Sequence, residues 1–126
     1  MTPPVLSVIG CLFGATAIIF GAFGAHLLKK YLTPELLQSF ETGVRYQMYH
    51  AITMLVLGLN LSLNTSLERI TAWFFCIGTF LFSFSIYALC ISTITGKKLK
   101  ILGPVTPLGG LILLLGWIFL ISVLLN

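Results

Sequence analysis

The pattern of hydrophobic and polar positions divides the chain into four long apolar segments. Uncharged stretches cover residues 1–28, 46–67, 70–96 and 101–126. Each is long enough for an α-helix to cross a bilayer, which takes about 20 residues for about 30 Å of hydrocarbon. The pattern therefore predicts an all-α, polytopic membrane protein with four transmembrane helices in a small bundle.

The predicted spans belong to a single domain, residues 1–126, and cover about residues 5–28, 44–62, 69–95 and 106–125. Thr33, Pro34 and Glu35 form a helix start, since they supply a hydroxyl N-cap, a first-turn proline and a carboxylate near the helix N-terminus. We expect one helix from Pro34 to about Leu61, which is longer than a span needs. Its residues 34–43 are therefore predicted to be an extension in the membrane interface.

Basic side chains lie at the ends of the apolar segments and give the chain a formal net charge of +4. Lys29 and Lys30 follow the first segment, and Lys97, Lys98 and Lys100 follow the third. The positive-inside rule places these lysines in the cytoplasm and both the N- and C-termini outside. The lysines are also candidates for contact with anionic lipid headgroups. Because this placement accounts for the basic charge, we expect membrane lipids and no nucleic acid as partners.

Small residues form a stripe along the first predicted helix. Their spacing alternates between four and three residues, at Gly10, Gly14, Ala17, Gly21 and Gly24. Such a stripe lets helix backbones approach closely in lipid, where packing replaces the hydrophobic drive. The stripe therefore predicts a helix–helix contact.

A second set of glycines lies on the fourth predicted helix, at Gly109, Gly110 and Gly116. Exposed glycine faces on the first and fourth helices would allow copies of the chain to pack against each other. A homo-oligomer is therefore one hypothesis for this protein.

Residues 40–50 read FETGVRYQMYH, a polar run at the entrance of the second span. Glu41 and Arg45 are four residues apart, so they share a helix face and can pair. Gln47 and His50 lie on nearly the opposite face, and His26 of the first helix is predicted to be a neighbour at the cytoplasmic level. The predicted polar cluster consists of His26, Glu41, Arg45, Tyr46, Gln47 and His50.

This cluster has two interpretations. Intramembrane ionisable groups usually face the bundle interior, which fits a neutral hydrogen-bond network that docks the helices. The second interpretation, which the pattern favours less, is a ligand or proton site. Ser83, Tyr87 and Cys90 share one face of the third helix and are expected to meet the network at Gln47 and His50.

Side chains for catalysis or metal binding are scarce in the sequence. The chain has no aspartate, no acidic residue deep in a span and no Cys-x-x-Cys motif. Cys11, Cys76 and Cys90 lie in apolar segments, and with the two histidines they give no ligand spacing typical of zinc. We therefore expect no enzyme activity, no cofactor and no metal.

Three function classes remain. The leading hypothesis is a non-enzymatic membrane protein that binds a lipid or a protein partner. The alternative is a permeation protein for a small solute or an ion, with the Gln47 and His50 face lining a wet path. A membrane enzyme comes third, because it would require a water-accessible His26 or His50.

Two stretches of the chain resemble a known family. GAFGAHLLKKYLTPELLQSFETGVRYQMYHA, residues 21–51, is similar to the signature of the YgdD-like family, and FSFSIYAL with GPVTPLGGLILLLGW resembles its second conserved block. The family consists of small bacterial membrane proteins of unknown function, with a small transmembrane relative in animals. The resemblance implies a four-helix protein of the bacterial cytoplasmic (inner) membrane. The family pattern has a small residue at Phe84, and the ring here argues against a close helix contact at that point.

Overall fold

A computed structural model of the chain describes residues 1–97 and 99–126. Over these residues it contains four long helices, and a short 3₁₀ turn at Lys100–Leu102 precedes the last of them. The helices are α1 (Pro3–Leu28), α2 (Pro34–Asn60), α3 (Ser66–Ile94) and α4 (Val105–Leu125). The prediction of an all-helical protein is confirmed.

Local signals mark where the helices begin. At the start of α2, Thr33 Oγ1 accepts a hydrogen bond from the backbone N–H of Leu36 at 3.3 Å, and Pro34 occupies the first turn. At the start of α3, Thr65 and Glu68 form a reciprocal capping box. These caps satisfy backbone N–H groups that have no partner within the helix.

Two helices contain a wider, π-helical turn, at Phe20–Gly24 in α1 and at Phe80–Phe84 in α3. Such a turn inserts an extra residue and rotates the side chains that follow it. In α3 this turn contacts both neighbours, since Phe82 lies against Gly109 of α4 and Ser83 binds the Gly43 carbonyl oxygen of α2. A strict helical period does not predict either turn.

The helices α1 and α2 form an antiparallel hairpin in which the small-residue stripe lies against α2. A Cβ atom at Gly10 would come within 2.8 Å of the Ala51 carbonyl oxygen, and one at Gly21 within 3.0 Å of Val44. Gly58 of α2 makes the same kind of close approach to Ser7 of α1. These contacts extend over nearly the full length of both helices.

A second hairpin joins α3 and α4, again through glycines. A Cβ atom at Gly78 would lie 2.9 Å from the Leu113 side chain, and one at Gly109 only 2.8 Å from Phe82 Cα. Gly116 packs on Phe74. The glycines of α1 and α4 therefore serve contacts within one chain, and the premise that their faces are exposed is wrong.

The two hairpins dock through α2 and α3, whereas α1 and α3 meet through aromatic rings. The Phe84 ring lies 6.3 Å from that of Phe13 and 6.1 Å from that of Phe20, measured between centroids. The Phe20 ring also packs edge-on against Tyr87 at 5.1 Å. The bulk of Phe84 thus fills the space where the family pattern would have a small residue.

Among the described residues, three segments are long and apolar enough to cross a membrane: Pro3–Leu28, Ser66–Ile94 and Lys100–Leu125. The helix α2 is not one of them, since Glu35, Glu41, Arg45 and several amides and hydroxyls interrupt its apolar character. It is nevertheless 27 residues long and lies along the whole of α1. Its polar side chains therefore set α2 apart from the other three helices.

Candidate functional site

Gln47 is the centre of a polar network inside the bundle, and it is fully buried. Its amide nitrogen donates to the Phe13 carbonyl oxygen at 2.8 Å and to Thr16 Oγ1 at 2.8 Å. Its amide oxygen accepts a hydrogen bond from the Tyr87 hydroxyl at 2.7 Å. One side chain of α2 thus binds both α1 and α3.

A second link between α2 and α3 lies beside Gln47. Ser83 Oγ donates to the Gly43 carbonyl oxygen at 2.7 Å. The Tyr87 ring packs directly on Gly43, where a Cβ atom would lie 2.9 Å from the ring. The absence of a side chain at Gly43 therefore lets Tyr87 lie flat enough for its hydroxyl to reach Gln47.

His50, which is 5% exposed, connects α2 to α4. Its Nδ1 lies 2.8 Å from the Tyr46 carbonyl oxygen, and the Trp117 indole N–H donates to its Nε2 at 3.2 Å. A carbonyl can only accept and an indole N–H can only donate. The two contacts therefore require a neutral imidazole with its proton on Nδ1 and a lone pair on Nε2.

This tautomer gives a direct prediction. In ¹⁵N NMR spectra of the protein in detergent micelles, His50 should show a protonated Nδ1 and an unprotonated Nε2. The variant Trp117→Phe removes the donor and should shift the Nε2 resonance while leaving the Nδ1 resonance in place. A protonated Nε2 in the native protein would contradict the assignment.

The network lies at mid-height of the bundle. Gln47 binds Phe13 and Thr16, which lie at the middle of α1 (Pro3–Leu28). A second span that begins at residue 44 predicts Gln47 and His50 near the cytoplasmic end of that span. Relative to α1, the structure places Gln47 level with the middle of the helix.

The other members of the predicted cluster lie apart from this network. His26 is exposed and ten residues beyond Thr16 along α1, about 15 Å at about 1.5 Å per residue. In an antiparallel hairpin, residues equally distant from the turn face each other, so His26 lies opposite the first turns of α2. The expectation that His26 is a neighbour of His50 is therefore wrong.

Glu41 and Arg45 form an ion pair of 3.4 Å on the outer face of α2. Their side chains are 43% and 56% exposed, respectively. Tyr46 is also outward-facing and packs on the Phe82 ring of α3 at a centroid distance of 4.9 Å. The six residues of the predicted cluster therefore divide into a buried pair, an outer group and a separate histidine.

Two partners in the network, Thr16 and Trp117, were missed by the sequence analysis. Both stand among apolar residues, and nothing local marks them as polar contacts. The usable signal is the requirement that a buried hydrogen-bonding group have a partner. This requirement identifies the indole N–H of Trp117 as a donor that needs an acceptor. Trp117 is 67 residues from His50, however, so only the folded structure shows that the two form a pair.

Within residues 1–97 and 99–126, every buried side-chain nitrogen or oxygen has a hydrogen-bond partner. The same residues contain no group of three or more metal-ligating side chains. The network therefore presents no unpaired polar atom to a ligand. Its geometry suits the docking of four helices at defined depths.

The lysine end of the bundle has a different character. Lys29, Lys30, Lys97 and Lys100 are all exposed there, and Lys98 lies outside the described residues. Near this end an apolar groove of about 430 Å³ lies between α1 and α3. Its lining is Phe20, Gly24, Leu27, Leu28, Phe40, Phe84, Tyr87, Ala88 and Ile91.

Comparison with known proteins supports a membrane protein. The family described as "Protein of unknown function (DUF423)" matches residues 20–110. A UPF0382 membrane protein of Staphylococcus aureus is 36% identical over 115 residues, 90% of this chain and 89% of that protein. The Bacillus subtilis UPF0382 membrane protein YwdK is 34% identical over 119 residues, 93% of each chain.

A fungal relative matches equally well. A UPF0382 membrane protein of Schizosaccharomyces pombe is 36% identical over 110 residues, 86% of this chain and 92% of its own. No solved structure matches the chain. The resemblance to a family of small membrane proteins of unknown function is confirmed, although these relatives do not carry the name YgdD. The chain belongs to the DUF423 family, whose relatives in bacteria and yeast are named UPF0382 membrane proteins.

Proposed function

We propose that this protein is a non-enzymatic integral membrane protein that binds an anionic lipid at its lysine end. The observation that carries the proposal is the apolar groove between α1 and α3, whose lining residues Leu27 and Leu28 directly precede the exposed Lys29 and Lys30. An acyl chain in the groove and a phosphate at the two lysines would match its shape and charge. Each lysine near an anionic headgroup contributes about 1 kcal/mol.

The groove and the lysines are continuous along the chain. Leu27 and Leu28 form part of the groove wall, and Lys29 and Lys30 follow them directly. Phe40 and Tyr87 line the groove from the opposite side, and the Tyr87 hydroxyl is occupied by Gln47. The groove therefore offers hydrocarbon contact along its length, and two lysines directly follow one of its walls in the chain.

In this proposal all four helices cross the membrane, which we take to be the cytoplasmic membrane. The helix α2 lies at the same depths as α1, because Gly58 contacts Ser7 at one end and Phe40 contacts Gly24 at the other. Four crossings put the lysines on one side and both termini on the opposite side. The positive-inside rule makes the lysine side cytoplasmic.

The polar network argues against the permeation alternative. A conducting path requires polar groups that exchange partners with water or with a solute. Gln47 and His50 instead bind Tyr87, Thr16 and Trp117 within the chain. These pairings favour a structural role for the two side chains.

The lipid proposal is tested by native mass spectrometry from mild detergent with phosphatidylglycerol added. The double variant Lys29→Gln/Lys30→Gln should retain about thirtyfold less of this lipid, since it removes two headgroup contacts of about 1 kcal/mol each. The matched control is Lys97→Gln/Lys100→Gln, which removes the same charge from the same end at two residues that do not line the groove and do not adjoin its lining in the chain. Equal losses of retained phosphatidylglycerol from both double variants would show that only the general surface charge matters. That result would contradict the groove as the binding site.

A further inference from the structure

The outer face of α2 differs from the outer faces of the other helices. Its first four turns present polar side chains outward: Gln38, Glu41, Thr42, Arg45, Tyr46 and Tyr49. On α1 and α4 the exposed residues of the helix bodies are mainly large and apolar, such as Ile19, Phe23 and Leu111. The polar side of the least apolar helix thus faces away from its own bundle.

With α2 crossing the membrane as proposed above, this polar face lies at the depth of the apolar layer. Val44 contacts Gly21 of α1, so Arg45 lies level with residues 19–21 of that helix. At that level α1 exposes Ile19 to 51%. Tyr49, exposed to 58%, lies one turn deeper, at the level of the buried network but on the outer face. Lipid chains that contact Ile19 would therefore also contact the Glu41–Arg45 pair.

The pair is incompletely satisfied within one chain. A guanidinium carries five N–H donors. In the described part of the chain, the Arg45 side chain makes one hydrogen bond, a contact of 3.4 Å to Glu41. Charged groups in a membrane normally face other protein or water, because exposure to lipid is costly. The remaining donors of Arg45 require acceptors from outside this chain.

We propose that this face is the contact between two copies of the protein, related by a two-fold axis along the membrane normal. The inference rests on α2 crossing the membrane, as proposed above, and does not depend on lipid binding. A two-fold interface brings the same patch of both copies together, so residue i meets j and j meets i. Arg45 of each copy would then meet Glu41 of the other.

The geometry of such a contact is consistent with the charges. Two α2 helices related by this axis run parallel, so Glu41 and Arg45 of different copies differ in height by one helical turn, about 6 Å. An arginine side chain covers that distance, and the outer tyrosines would pack around the ion pairs. The lysine ends of both copies stay on one side of the membrane.

Cysteine cross-linking in native membrane vesicles tests the contact. Tyr49→Cys is made with Cys11→Ser, which removes the exposed native thiol, while Cys76 and Cys90 are buried. Leu114→Cys, on the exposed face of α4, is the matched control. Mild oxidation should give about tenfold more disulfide-linked dimer at residue 49 than at residue 114. Equal yields would overturn the proposed interface.

A charge exchange separates contact between copies from pairing within one chain. Glu41→Arg alone and Arg45→Glu alone should each reduce cross-linking through residue 49, since like charges then meet. Co-expression of the two variants with different tags should restore it in the mixed dimer, although both intrachain pairs remain broken. Loss that persists in the mixed dimer would overturn the proposed contact.

Two further outcomes distinguish a failure of the proposed contact between copies from a failure of the proposed membrane crossing of α2. A cross-link of Tyr49→Cys to a different protein would replace the second copy with another partner. Rapid labelling of the same cysteine by a membrane-impermeant maleimide would place Tyr49 in water and overturn the crossing of α2 as well. Lipid retention at Lys29 and Lys30 is measured separately, so the lipid proposal and the proposal of a contact between copies are tested independently.

Discussion

Gly109→Ala is expected to lower the free energy of unfolding by about 2 kcal/mol, the range of overpacked cores. A Cβ atom at this position would meet the backbone of α3, with Phe82 Cα at 2.8 Å and the Leu81 carbonyl carbon at 2.9 Å. Backbone atoms cannot rotate aside as a side-chain terminus can. The two helices must therefore separate, and the Ser85–Thr106 hydrogen bond of 2.6 Å between them would lengthen.

The adjacent glycine provides the control for this experiment. A Cβ atom at Gly110 would lie 3.6 Å from the Phe82 ring, an ordinary contact distance. Gly110→Ala should therefore leave stability unchanged or raise it by up to about 1 kcal/mol through helix propensity. Thermal unfolding in the same detergent gives both values. Equal stability of the two variants would show that α3 and α4 are not as close as described.

Gln47→Leu is expected to destabilise the protein by about 1–3 kcal/mol, the cost of leaving buried polar groups without partners. The substitution keeps a similar volume but leaves the Tyr87 hydroxyl without its acceptor. It also removes the donor to Phe13 and Thr16. Since Gln47 joins three helices, the loss should be larger than for Met48→Leu at the neighbouring position.

A double-mutant cycle separates the hydrogen bond from general packing. Tyr87→Phe alone leaves the Gln47 amide oxygen unpaired, whereas Gln47→Leu/Tyr87→Phe removes donor and acceptor together. The double variant should therefore be less destabilised than the sum of the two single variants, by about 1 kcal/mol. Additive losses would show that the 2.7 Å contact contributes no coupling.

Helix positions were largely readable from the sequence, because helix formation in an apolar segment depends on nearby residues. The Thr33-Pro34 start corresponds to the beginning of α2 in the structure. Periodicity also separated the faces of α2, with Glu41 and Arg45 opposite Gln47. The π-helical turns at Phe20–Gly24 and Phe80–Phe84 were not readable, since they depend on how α1 and α3 pack.

The candidate site was readable only in part. Gln47 and His50 were identified because polar side chains in an apolar helix usually face protein. His26 was wrongly placed beside His50, because the register of a hairpin depends on contacts along its whole length. The partner of His50 is Trp117, 67 residues away, and no local pattern connects the two.

The sequence by itself determined that this is a helical membrane protein with glycine contacts and an inward-facing Gln47 and His50. These properties follow from composition and period, which act over a few residues. Only the tertiary structure decided which surfaces those features meet. It enclosed the glycines within the chain and left the Glu41–Arg45 face open. The physical reason is that a buried group must find its partner in space, and that partner is chosen by the packing of whole helices.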